Sequence, residues 1–258
     1  MKMFNVTVSG GCQIGDKRKY NQDNFYLNGQ FRKNIKENNN LFLDITTNDE
    51  IQIYAVCEGM GGDKLGEIAS SVAVQTLAKY HEEAFKLCSK STIQKCIEEY
   101  MEDVNERLCD IKNALNEKYI QTTIALIAIY GDYLYAYNLG NTKIYFISLN
   151  EIIQMSKDNT DIIHSKVLFR INKGDKFLIC SDNLSTSIDN IEIKKIIKNS
   201  QSDNDAVQKL VDKSLLKENI DNITAILINI ESREYNRIEI LLLSIFFIFI
   251  IVGINFLS

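Results

Sequence analysis

The sequence predicts an α+β domain in which sheets pack on each other with helices outside, followed by one C-terminal transmembrane helix. Three observations predict it. Residues 122–149 read as consecutive strands joined by tight turns. Two long amphipathic helical patterns follow one another from Glu67 to Leu115. The stretch Ile240–Leu257 (ILLLSIFFIFIIVGINFL) carries no charge.

In chain order, VTVSGGC (6–12), NFYL (24–27) and IQIYAVC (51–57) are short apolar or alternating runs and read as strands. The Asn/Lys-rich stretch 28–40 reads as a loop. From Glu67, Ile68, Val72, Leu77 and Phe85 recur on helical faces. Ser91 or Thr92 is placed to cap a second helix that runs to Leu115. TTIALIAIY (122–130), YLYAYNLG (133–140) and TKIYFISL (142–149) are separated at Gly131-Asp132 and Gly140-Asn141, the pattern of an antiparallel meander. Two further strands, 167–171 and 176–181, flank a turn at Lys173-Gly174-Asp175. Helical stretches near 191–199 and 203–217 precede a closing strand, ITAILINI, at 223–230.

Composition narrows the function. The net charge is −5 and no Lys/Arg run is long, so nucleic acid is not an expected partner. Six cysteines form no CxxC pair and match no zinc spacing. Cys57 and Cys180 sit in apolar runs and read as buried thiols. No signal-peptide pattern is visible at residues 1–12, and a reducing, cytoplasmic setting fits. The run 240–257 would span about 27 Å as a helix, near the hydrocarbon thickness of a bilayer. Arg233 and Arg237 precede it and no charge follows it. The expectation is a single-pass membrane protein with its N-terminal domain in the cytoplasm. Residues 1–230 then form the domain, 231–238 a juxtamembrane linker and 239–258 the anchor.

Four acidic residues stand at strand ends beside small or turn-forming residues: Asp23 in NQDN, Glu58 in VCEGMGG, Asp182 in ICSDN and Asp221 in IDNIT. Carboxylates so placed can line a cleft and hold a hard divalent cation, since Mg²⁺ and Mn²⁺ favour oxygen ligands. Gly59 would let the backbone approach such an ion. Turn chemistry alone accounts for any one of these acids taken singly.

Five segments, in order over nearly all of residues 5–230, resemble the motifs of the PPM (protein phosphatase 2C) family. RKYNQD (18–23) is similar to its R-x-x-N-x-D element. AVCEGMGGDKLGEIAS (55–70) is similar to V-x-D-G-M-G-G…G-E-x-A-S. YLYAYNLGNTKIYFI (133–147) resembles the G-D-S-R segment, GDKFLICSDNL (174–184) resembles G-D-x-L-L-L-C-S-D-G-L, and DNIT (221–224) matches D-N-x-T. The resemblance implies a four-layer α-β-β-α sandwich and metal-dependent hydrolysis of phosphoserine or phosphothreonine in proteins. It implies two ions, Mn²⁺ or Mg²⁺, on Glu58, Asp182 and Asp221, with the Gly59 carbonyl assisting. Asp23 would act through water beside the ions, and Arg18 would clamp the substrate phosphate. A phosphorylated protein is the implied partner; membrane tethering would suit a membrane-associated kinase or its targets.

The sequence also departs from that pattern. Glu58 replaces an Asp and reaches one methylene further. Asn141 stands where an Asp would help hold a third ion, and a neutral amide is a poorer ligand, which argues against that ion. Asn183 replaces a glycine, a change that tolerance of left-handed backbone would soften. The flap segment from Ser156 to Gly174 is short. Three readings follow: a phosphatase with altered metal preference, favouring Mn²⁺ and of reduced activity; a pseudophosphatase that binds a phosphoprotein or regulator without turnover; and a membrane-bound structural or sensory domain. EGMGGDKLGE lacks the G-K-[ST] ending of a phosphate loop. His81 and His164 are too far apart in sequence to suggest a zinc site or a triad.

Overall fold

The structure is a computed structural model and describes residues 4–33, 40–61, 64–156, 165–217 and 221–231. The predicted transmembrane run, His164 and most of the linker lie outside these residues. Among the described residues, no helix is long and apolar enough to cross a membrane.

Among the described residues, thirteen strands and five α-helices follow one another. They are β1 Val6–Gln13, β2 Asp23–Leu27, β3 Gln30–Phe31, β4 Leu41–Thr47, β5 Ile51–Met60, α1 Leu65–Glu83, α2 Ile93–Ala114, β6 Gln121–Thr122, β7 Ile124–Tyr130, β8 Tyr133–Leu139, β9 Lys143–Ile147, β10 Ile152–Gln154, β11 Ser165–Arg170, β12 Lys176–Cys180, α3 Asp182–Ser187, α4 Asn190–Asn199, α5 Asp203–Leu215 and β13 Ile223–Ile230. One antiparallel sheet has the order β10-β9-β12-β13-β1-β4. The other has the order β11-β8-β7-β5-β2-β3, with β6 paired to β5.

The continuous apolar strands make sense in four layers, because both of their faces are buried. Along β5, Ile53, Ala55 and Cys57 meet α1 and α2, while Tyr54 and Val56 face the other sheet. Along β13, Ile226, Ile228 and Ile230 face inward, while Ile223, Ala225 and Leu227 meet the second helical layer of α3, α4 and α5. Period-two alternation thus divides each strand between two cores. Phe146, Phe169 and Phe177 meet between the sheets with centroids 4.8 to 5.7 Å apart. The expected sandwich is therefore present, and Cys57 and Cys180 are buried as predicted.

Several local expectations are corrected. The stretch 28–40 is not all loop: Gln30 and Phe31 pair with β2. Strand β4 went unpredicted because Asp44 and Thr46 interrupt its apolar pattern; it is an edge strand with one partly solvated face. Helix α3 was also missed, being too short at six residues to show a period. Thr92 occupies the cap position of α2, but its hydroxyl turns back to Ser89 instead of the helix N–H groups. His81 is half-buried against Tyr26, whose hydroxyl lies 2.8 Å from His81 Nδ1.

Candidate active site

The two sheets bring the ends of four strands to one edge of the sandwich. Asp23 opens β2 and stands directly opposite Glu58 of β5. Asp182 begins α3 just after β12, and Asp221 lies two residues before β13. Two contacts link the two sheets here, and a third ties the loop 14–22 to the start of β13. Thr224 Oγ1 donates to Asp23 Oδ2 at 2.8 Å. The Asp182 N–H donates to Glu58 Oε1 at 2.6 Å. Arg18 Nε donates to both oxygens of Asp221, at 3.0 and 2.9 Å. Lys17 Nζ adds a looser ion pair with Asp221 at 3.4 Å.

The loop 14–22 that carries Arg18 is pinned by a residue sequence reasoning did not single out. Asn222 Oδ1 accepts the Gln22 N–H at 2.8 Å, and its Nδ2 donates to the Ile14 carbonyl at 2.7 Å. Arg32 is a second missed residue. It is 1% exposed, and its Nη2 donates to the carbonyls of Asn21 and Asp23 at 2.6 Å each. A lone Arg in an Asn/Lys-rich stretch gives no sequence signal of such a role. Asn222 and Thr224 at least belong to the DNIT motif.

Gly59 has a second constraint besides any ligand. A Cβ there would lie 1.7 Å from the Gly66 carbonyl oxygen, so the end of β5 lies backbone to backbone against the start of α1. Thr123 steadies Glu58 by accepting its N–H at 3.2 Å and reaching its Oε2 at 3.4 Å. Asn183 needs no left-handed backbone, contrary to the reason offered for its tolerance: it lies in α3 and its Nδ2 donates to the Asn222 carbonyl at 3.1 Å. Asn141 is exposed in the turn between β8 and β9.

The acids are electrostatically frustrated. Burial pushes the Asp23 carboxyl up to about 7, and the charge of Asp221 adds to the rise while Thr224, Arg32 and Arg18 oppose it. Glu58 is held well above the usual carboxylate range by burial and by the charges of Asp23 and Asp182, against the bonds from the Asp182 N–H and Thr123. A divalent cation would relieve this crowding, and the donors are the hard oxygens Mg²⁺ and Mn²⁺ prefer. In donor chemistry the residues fit such ions. Among the described residues, however, no three His, Cys, Asp or Glu side chains converge on one metal position. The carboxylates are engaged instead by Arg18, Thr224 and the start of α3.

Residues 40–169 match the family model described as protein phosphatase 2C. The chain is 21% identical over 235 residues to the serine/threonine phosphatase stp of Listeria welshimeri serovar 6b, covering 78% of this chain and 92% of that one. Its fold is similar to the S. agalactiae serine/threonine phosphatase, with a TM-score of 0.74 at 20% identity over 88% of this chain and all of the other. It is similar also to the catalytic domain of the serine/threonine protein phosphatase PstP in complex with two manganese ions, with a TM-score of 0.71 at 17% identity and the same coverage. With half of its 258 residues matched by the family model, the chain belongs to the protein phosphatase 2C family.

Proposed function

We propose that this protein hydrolyses phosphoserine and phosphothreonine monoesters in proteins, with Mn²⁺ or Mg²⁺ held by Glu58, Asp182, Asp221 and the Gly59 carbonyl. The observation that carries the reading is the gathering of four carboxylates and the Arg18 guanidinium at one edge between the sheets. The ions, when bound, supply acidification of the attacking water and positive charge for the phosphoryl oxygens. Arg18 can exchange Asp221 for a phosphate, because its planar donor face suits either acceptor. There it would hold the phosphoryl oxygens as charge develops on them. Asp23, anchored by Thr224, would act through water beside the ions. No cysteine or serine nucleophile is required.

The test is release of phosphate from a phosphothreonine peptide by the full chain with Mn²⁺ and with Mg²⁺. Release should require metal, favour Mn²⁺, and vanish in Asp182→Ala. A second reading, a domain that binds phosphoproteins without turnover, is favoured by one observation: the Glu58 carboxylate already accepts the Asp182 N–H. Saturable peptide binding with no release would select it.

The reading includes a tether. Residues 239–258 would anchor the domain through the linker 231–238, on the cytoplasmic side, near membrane-associated kinases or their targets. Carbonate extraction of membranes checks this: the chain should stay in the pellet and be freed by detergent.

A further inference from the structure

A groove of about 440 Å³ opens beside the candidate active site, on the α2 side of the β5–β6 pairing. One wall is the segment 118–123, which ends in the two threonines that touch Glu58: Thr122 Oγ1 donates to the Glu58 carbonyl at 3.0 Å, and Thr123 reaches the side chain. The other wall is the C-terminal half of α2, with Met101, Val104 and Leu108. At the mouth, Met60 and Tyr119 are 37% and 47% exposed, and the Tyr119 hydroxyl lies 3.7 Å from Met60 Sδ. This is an apolar surface continuous with the residues that steady Glu58.

Its charge is one-sided. Lys112 and Lys118 line it, and among the described residues no Asp or Glu does. Neither lysine belongs to an ion pair among the described residues. On a chain of net charge −5, two cations beside apolar side chains make a local surface of opposite sign to the whole. Such a groove complements an extended peptide that offers a large apolar residue to Met60 and Tyr119 and a carboxylate or second phosphate to Lys112 and Lys118.

We propose that this groove docks the flank of the phosphoprotein substrate and selects segments in which an apolar residue and acidic residues lie within a few positions of the phosphorylated side chain. The proposal rests on the phosphatase reading for its substrate, but groove binding itself can be measured without turnover. Cys109 lines the groove and is exposed, whereas Cys12, Cys57, Cys96 and Cys180 are buried. Its thiol is a built-in reporter.

The experiment follows maleimide labelling of the full chain in EDTA, with Cys109→Ser as baseline. An unphosphorylated peptide carrying Leu, Asp and Glu should slow Cys109 labelling about fivefold at saturation, and a peptide with Ser and Lys in their place should not. With metal, Lys112→Glu combined with Lys118→Glu should cut the preference for the acidic over the basic phosphopeptide about tenfold, through KM and not kcat, each exposed pair being worth up to about fivefold. Unaltered labelling with either peptide, or an unaltered preference in the double variant, overturns the proposal. Cys109 protected before any peptide is added also overturns it, since the groove would then be filled by the chain itself. Hydrolysis of p-nitrophenyl phosphate is followed in parallel. Its absence alongside peptide-dependent protection refutes the phosphatase reading and leaves docking standing; its presence without protection refutes docking alone.

Discussion

The guanidinium of Arg18 and the carboxylate of Asp221 form a two-oxygen contact, with Nε 3.0 and 2.9 Å from Oδ1 and Oδ2. The residues are 203 positions apart and join the β1–β2 loop to the start of β13. Arg18 Nε occupies both oxygens of Asp221, so the proposed phosphate clamp and the proposed metal ligand hold one another. Arg18→Ala should therefore have opposite effects on two measurements. Mn²⁺ affinity by calorimetry should rise about tenfold as Asp221 is released. Turnover of a phosphothreonine peptide should fall by about a hundredfold as a transition-state contact is lost.

Glu58→Asp tests the longer side chain at the bridging position. The shorter carboxylate cannot keep the 2.6 Å bond from the Asp182 N–H without backbone movement. Thermal stability without metal should drop by about 1 to 2 kcal/mol. Manganese-dependent phosphate release should rise, because the carboxylate is no longer drawn to the start of α3. A drop in stability with no gain in release would show that the lost reach is not what limits the site.

The Asp23 carboxyl gives the metal-free protein a pH dependence of definite sign. Folding raises it from 3.8 to about 7, so the native state holds a proton that the unfolded chain has released. The associated stability is fully present below pH 3.8 and is lost as pH rises through about 7. In EDTA the Tm should fall between pH 5 and pH 8. Asp23→Asn should flatten that fall, though not abolish it, since Glu58 is shifted in the same direction. The stabilisation conferred by Mn²⁺ should grow over the same range, because binding expels the protons.

Arg32 is a framework residue, and its loss should be costly. Arg32→Met keeps much of the bulk but strands the carbonyls of Asn21 and Asp23 in a buried setting. A loss of about 2 to 4 kcal/mol in urea unfolding is expected. Arg32→Lys should recover only part of it, since an ammonium lacks the planar fork.

Much of the fold was legible because the sheets are buried on both faces. Strands such as β5, β7 and β13 are unbroken apolar runs, and α1 and α2 are long enough to show a period. Elements of few residues, or with one wet face, escaped: β4, β10 and α3. At the site, each acid was visible as a carboxylate at a strand end, because such positions break an apolar run. Their partners were not. Asn222 and Thr224 bond groups about 200 positions earlier in the chain, and Arg32 folds back on the carbonyls of Asn21 and Asp23; the sequence carries no trace of which groups will need them. The pairing of Arg18 with Asp221 was likewise invisible, since it exists only once the fold sets residues 18 and 221 side by side.

Strand β13 begins two residues after Asp221 and ends at Ile230, where the Glu231 N–H is tied to the Asn5 carbonyl. Eight extended residues cover roughly 26 Å. The chain therefore leaves the sandwich at the end opposite the carboxylates. Any pull on the tether proposed for residues 239–258 would bear on this far end and its Glu231–Asn5 tie, and not on the carboxylates.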